Sequence, residues 1–212
     1  MKVIASLVAL AAATAVAAPA YEVKPRDLVD DAAPHADDPN FISAVMRAHW
    51  YWRKLHCAQE LVWDPELAKA ARADVEKCTQ KPTHERPGSN LSSVTPAPGS
   101  YEEWIEFART ATHGWHEEET KYPYENPHFD DAWGHFTQMV WRNSSSIGCA
   151  VGHCSDQVDY PGRFYCYYNF YGNNIAAGQF QAQVWGPVCS DPAIGEVKAR
   201  QDVNFDWTAR SQ

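Results

Sequence analysis

Six cysteines in a chain built for export constrain the fold more than any other feature. They are Cys57, Cys78, Cys149, Cys154, Cys166 and Cys189. The first residues read as a secretory leader: Lys2 supplies the charged start, and Val3 to Val16 form an apolar run too short to span a bilayer. Ala15-Val16-Ala17 or Val16-Ala17-Ala18 then offers a small-residue cleavage site, so residues 1–18 are expected to leave as a signal peptide. An even cysteine count in an exported chain favours disulfides, and six cysteines permit about fifteen pairings. Cys149-x4-Cys154 lacks the spacing of a zinc ribbon. No later segment has the length of a membrane span. A secreted, extracellular monomer is expected.

The rest divides into helix-like and strand-like halves. Residues 19–40 are acidic, carry Pro25 and Pro34, lack apolar periodicity and read as a mobile arm. Phe41, Val45, Ala48, Trp52 and Leu55 recur at helical spacing, which predicts an amphipathic helix ending near Cys57. Asp64 as N-cap, Pro65 at the first helical position and Glu66 after it start a second helix, whose face continues through Leu67, Ala71 and Val75. Pro, Ser, Thr and Gly over 79–99 read as a loop. A third helix is expected from Ser100 to about Lys121, with Trp104, Phe107, Ala108, Ala111 and Trp115 on its face.

After an aromatic, Pro-bearing loop over 122–133, residues 134–141 alternate in the manner of a strand, with His135, Thr137, Met139 and Trp141 on one side. Ile147–Val151 and Arg163–Tyr168 read as two more strands. Helices followed by strands argue an α+β architecture with helices on an antiparallel sheet. The tail from Pro187, residues 187–212, reads as a polar extension held at Cys189.

These residues resemble the CAP superfamily: cysteine-rich secretory proteins, antigen-5 and plant pathogenesis-related proteins of group 1. Gly134-His135-Phe136-Thr137-Gln138-Met139-Val140-Trp141, with Arg142-Asn143-Ser144 and Ile147-Gly148-Cys149-Ala150, is similar to that family's first signature. Cys166 to Asn173 is similar to its second, with Tyr167 where Asn is usual and Phe170 where Pro is usual. Ala48-His49-x3-Arg53 and Leu61 to Leu67 also fit, so the resemblance covers about 41–186. It implies a three-layer α-β-α sandwich, with bridges Cys149–Cys166, Cys78–Cys154 and, by what is left, Cys57–Cys189. It also implies a cavity of two His and two Glu. By motif these are His84, His135 and Glu118, while Ser89 stands in Gly88-Ser89-Asn90 where the family has its other Glu.

Two neutral imidazoles can hold zinc or another divalent metal, but two protein ligands make a weak, open site, and no cofactor is required. The alternative is that His135 and Glu118 simply hydrogen-bond across a polar cleft. Ser89 with His84, His135 and Glu118 could be drawn as a hydrolase, yet no Gly-x-Ser-x-Gly elbow is present, and the expectation is a protein that is not an enzyme. Tyr122, Tyr124 and Phe129 have the spacing of a caveolin-binding-type motif linked, in this family, to sterol binding. A lipid-binding loop is one reading of these rings and packing on the helix below is the other. A secreted carrier of sterols or other small apolar lipids is therefore expected, with an extracellular interaction protein acting at a host surface or in defence as the alternative. The formal net charge of −9, or −10 once Lys2 leaves, and the lack of a basic patch argue against nucleic acid. Asn90-Leu91-Ser92 and Asn143-Ser144-Ser145 are candidate glycosylation sites.

Overall fold

The structure, a computed structural model, describes residues 32–209. The signal peptide expected over 1–18 lies outside the described residues. Helix α1 spans Pro39–Leu55. The Asp38 carboxylate caps it, accepting from the backbone N–H of Asn40 at 2.8 Å and of Phe41 at 3.0 Å. A two-residue strand β1, Val62–Trp63, leads into helix α2, Pro65–Val75, capped in the same way by Asp64. Strand β2, Ser89–Val94, precedes helix α3, Tyr101–Glu117, which Ser100 caps and a 3-10 turn, Glu118–Lys121, extends. A second 3-10 turn, Asp131–Trp133, enters the short helix α4, Gly134–Met139. Strands β3, Ser146–His153, and β4, Gly162–Asn169, follow, then the short helices α5, Gln179–Gln183, and α6, Ile194–Ala199.

The sheet order is β1-β3-β4-β2, antiparallel except for the parallel β1–β3 pair. Side-chain alternation assigns the layers. Ile147, Cys149, Val151, Phe164, Cys166 and Tyr168 face one core with Phe41, Val45, Met46, Trp104, Ala108 and Trp115 of α1 and α3. Ala150, Tyr165 and Tyr167 face the other with Ala71 and Val75 of α2. Helices cover both faces, so β3 and β4 are buried along nearly their whole length. This is an α-β-α sandwich. Gly148 permits it: a Cβ there would lie 2.1 Å from the backbone N of Ala68 and 2.4 Å from the carbonyl of Asp64, so α2 sits directly on the strand.

Three disulfides close Cys57–Cys189, Cys78–Cys154 and Cys149–Cys166. The last joins residues directly opposite on β3 and β4. The first closes 132 residues of chain, which in the chain-entropy account contributes about 3–5 kcal/mol.

Four sequence expectations need correction. Residues 134–141 are not a strand: Gly134–Met139 is helical. The region 79–99 is not all loop, because Ser89–Val94 forms an edge strand against β4. Residues 19–31 of the expected mobile arm lie outside the described residues; over 32–40 the expectation is corrected, with Pro34 buried, Ala33 and Ala36 packed on the core, and α1 beginning at Pro39. The 187–212 extension is held well beyond Cys189. Trp207 is buried, and the Trp63 N–H donates to its carbonyl at 3.0 Å.

Candidate functional site

Arg53 of α1 organises the floor of the site. Its guanidinium is buried and donates to four backbone carbonyls: Gln59 from both Nε and Nη2, Met139 and Trp141 from Nη1, and Ser144 from Nη2. Burial lowers its pKa to about 9, so it stays charged at neutral pH. It thereby holds the carbonyl end of α4. The other end is held by Glu118, whose Oε2 accepts from the backbone N–H groups of His135 at 3.0 Å and Phe136 at 3.1 Å. The same carboxylate takes His135 Nδ1 on Oε1 at 2.8 Å. One residue therefore caps a helix and orients the ring at its start.

A second chain of polar groups reaches His135 from behind. His49 Nδ1–H donates to the Val45 carbonyl at 2.8 Å, which leaves Nε2 to accept from the Tyr168 hydroxyl at 2.7 Å. Burial lowers the His49 pKa to about 3, so the ring is neutral. Asn90 Nδ2 donates to Tyr168 Oη at 3.3 Å and to the His135 carbonyl at 3.0 Å. Asn90 is fully buried in this role, so the folded protein offers no amide there to a glycan; Asn143 is exposed.

His84 lies across from His135, ring centroids 5.6 Å apart. Its Nδ1 is 2.7 Å from Ser89 Oγ, and Ser89 Oγ is 2.9 Å from the Arg86 carbonyl. A carbonyl only accepts, so the Ser89 proton points to Arg86 and His84 Nδ1–H donates to Ser89. In both imidazoles Nδ1 is the donor, so in the neutral ring Nε2 holds the lone pair. Ser89 thus performs for His84 the tautomer-fixing role that Glu118 performs for His135. Desolvation, then the neighbouring His135, lowers the His84 pKa. Glu85 does not join this pair; its carboxylate accepts from Lys77 Nζ and the Thr83 hydroxyl.

His84, Ser89 and His135 line a cleft of about 640 Å³ bounded by Pro87, Gly88, Phe129, Asp131, Gly172 and Ile175, and Glu118 stands behind His135 outside that lining. Gly88 has φ +68°, and a Cβ there would meet Tyr171 Cβ at 2.1 Å. The rim is apolar and exposed: Phe129 is 41% accessible and Ile175 81%, and Phe170 and Tyr171, shortly before Ile175 in the sequence, are also exposed. Of the three rings expected to form a lipid-binding loop, only Phe129 faces the cleft. Tyr122 is buried against Phe136 and Trp133, and Tyr124 packs edge-on against Tyr122 with its hydroxyl donating to Glu119 Oε1 at 2.7 Å. For these two, packing on the structure below is the outcome.

The periodicity gave no hint of a second polar cluster on the far side of α4. His56 at the end of α1, His116 in the last turn of α3 and Glu119 in the following 3-10 turn converge within 4.8 Å. Only the His116-x2-Glu119 spacing, which places both on one helical face, could have suggested it.

A disulfide-stapled α-β-α sandwich with a His-lined cleft is a known protein class, and the comparisons agree. The solved structure of BmVAL-1 superposes with TM-score 0.57 at 18% identity, covering 73% of this chain and 85% of that one. NaASP2 with Zn2+ gives TM-score 0.52 at 18% identity, covering 76% and 92%. The family described as "CAP: Cysteine-rich secretory protein family" matches residues 46–170, and the chain belongs to it. Protein PRY2 of Saccharomyces cerevisiae is 32% identical over 68% of this chain and 41% of its own length. GLIPR1-like protein 1 of Homo sapiens is 29% identical over 57% of this chain and 54% of its own. The chain therefore spans about half the length of these curated relatives. CAP proteins are typically secreted, and the three disulfides fit an oxidising compartment. No helix among the described residues is long and apolar enough to cross a membrane.

Proposed function

We propose that this is a secreted, non-enzymatic carrier of small apolar molecules with one polar group, sterols being the class to test, and that the cleft between His84 and His135 is where they bind. The observation that carries this is the pairing of an exposed apolar rim, Phe129 and Ile175, with an interior of hydrogen-bonding groups in a cleft of about 640 Å³. Ligand pockets of about 300–1,000 Å³ have this composition: apolar walls and a few placed polar groups. An apolar skeleton would cover the rim, and its polar end would reach the imidazoles.

The Ser89 geometry supports a role without catalysis. A nucleophilic hydroxyl must give its proton to the base, whereas the Ser89 proton is directed at the Arg86 carbonyl and His84 donates to Ser89. The same geometry favours a second, compatible reading. Two Nε2 lone pairs across the cleft fit a weakly held zinc or other divalent ion, and Ser89 preserves the arrangement that the missing carboxylate would have provided.

Titration of the purified protein with a fluorescent sterol tests the first reading. Saturable binding is expected. A Phe129→Ser, Ile175→Ser double variant should bind at least about tenfold more weakly, since each buried apolar side chain is worth roughly 1.5–3 kcal/mol. No saturable binding by the wild type, or equal binding by the variant, would refute it.

A further inference from the structure

The geometry points to a zinc site formed by His56, His116 and Glu119, separate from the cleft and positioned where α1, α3 and the following 3-10 turn meet. His56 Nε2 and His116 Nε2 are 2.9 Å apart, Glu119 Oε2 is 3.3 Å from His116 Nε2, and it is 3.8 Å from His56 Nε2. Their mean is about 3.3 Å. Ligands on a tetrahedral zinc at about 2.0–2.1 Å stand about 3.3–3.4 Å from each other. A tetrahedral ion about 0.7 Å above the plane of this triangle needs only a few tenths of an ångström of adjustment from each side chain.

Each of the three ligands is held from behind. His56 Nδ1–H donates to the Trp185 carbonyl at 2.6 Å, which places the lone pair on Nε2. The His116 ring stacks on Trp52, with centroids 3.7 Å apart and planes at 11°. Glu119 receives the Tyr124 hydroxyl on Oε1, leaving Oε2 for the ion. The Phe136 ring packs edge-on against both imidazoles. Two ligands fixed by outer hydrogen bonds and the third by ring stacking separate a built metal site from a chance cluster.

In the metal-free form His116 Nε2–H bridges to His56 Nε2. Binding requires that proton to move to Nδ1 by tautomeric shift, which frees the Nε2 lone pair while both imidazoles stay neutral, so the ion takes the place of the hydrogen bond between the two rings. Two neutral imidazoles and one carboxylate leave a net charge of +1 on the complex and one coordination position for water on the Glu119 side. The His56 side chain is inaccessible, whereas that of Glu119 is 20% exposed. Through Glu119 the ion would also fix Tyr124, and through His56 the Trp185 carbonyl near the Cys57–Cys189 bridge.

The test uses the full mature protein stripped with chelator. Isothermal titration with zinc is run on the wild type, on His84→Ala/His135→Ala, and on that variant carrying Glu119→Gln or Tyr124→Phe. The cleft variant should keep one equivalent of tightly bound zinc. Glu119→Gln should weaken it by about a hundredfold or more, and Tyr124→Phe by about tenfold. Cobalt substitution of the cleft variant should give the intense visible bands of a tetrahedral centre. Loss of all tight zinc in the cleft variant, or unchanged affinity in Glu119→Gln, would overturn the assignment. Should Glu119→Gln lose its near-ultraviolet circular dichroism, the cobalt spectrum decides: weak octahedral bands alone would likewise overturn it.

Discussion

Replacing Arg53 by Met keeps most of the stem volume in α1 and removes five buried N–H donors. Two of the four carbonyls they serve retain another partner: Trp141 O accepts from the Ser144 N–H at 3.1 Å, and Ser144 O from Gln59 Nε2 at 3.0 Å. Gln59 O and Met139 O lose the donors that Arg53 gave them. A buried polar group stripped of its partner costs about 1–3 kcal/mol, so the loss should be about 2–6 kcal/mol. That is a large share of the roughly 5–15 kcal/mol by which a domain is stable. Urea unfolding with disulfides intact measures it, as a lower midpoint with little change in slope. Because Met139 O closes α4, amide exchange over Phe136–Trp141 should rise more than over α2. A loss below about 1 kcal/mol, or exchange raised equally in both helices, would refute the claim that Arg53 holds the site's floor.

Three further outcomes are expected. His49 and His116 have pKa values lowered to about 3, chiefly by burial, and that of His56 is lowered for the same first cause. A His kept neutral in the fold costs nothing above its unfolded pKa of about 6.5. As pH falls below that, the unfolded chain gains protons that the folded one refuses, so urea midpoints should fall steadily from pH 6.5 toward pH 3, by up to about 1.4 kcal/mol per pH unit for each such ring; a midpoint that is flat or rises over that range would contradict this. Gly148→Val should abolish secretion of folded protein, because its side chain would occupy the backbone of α2; a normally secreted, fully folded variant would count against the packing. Protein secreted from a eukaryotic host is expected to carry a glycan at Asn143 and none at Asn90, so Asn143→Gln should abolish the mass shift on enzymatic deglycosylation while Asn90→Gln changes stability and leaves that shift as it was; a glycan lost with Asn90 would contradict the buried role of that amide.

What could be read from the sequence was local. Asp64-Pro65 and Ser100 carry their own start signals, so α2 and α3 begin where the residues say. The short apolar and aromatic runs at 147–151 and 163–168 mark β3 and β4 because their side chains pack on both faces of the sheet. Helix α4 was misread because neither of its ends is closed locally. Glu118, 17 residues upstream, accepts from its first N–H groups, and Arg53 takes the carbonyl at its end. A six-residue helix with remote caps presents only the alternation of its aromatic and β-branched residues. Strand β2 was missed for a related reason: Ser89-Asn90-Leu91-Ser92-Ser93-Val94 is polar, and pairing with β4 alone makes it a strand. The motif residues His84, His135 and Glu118 do meet, but the part played by Ser89 depends on the Arg86 carbonyl, which no pattern of side chains reveals. The His56–His116–Glu119 cluster unites three elements and leaves one short spacing as its trace.

Native mass spectrometry of the protein secreted from a eukaryotic host tests the central claim most directly. The wild type should carry a co-purifying apolar molecule that is released on activation, and the Phe129→Ser, Ile175→Ser variant should appear without it while remaining folded. A wild type that shows only its own mass, and that takes up no sterol when offered one, would contradict the assignment of the cleft as a lipid-binding site.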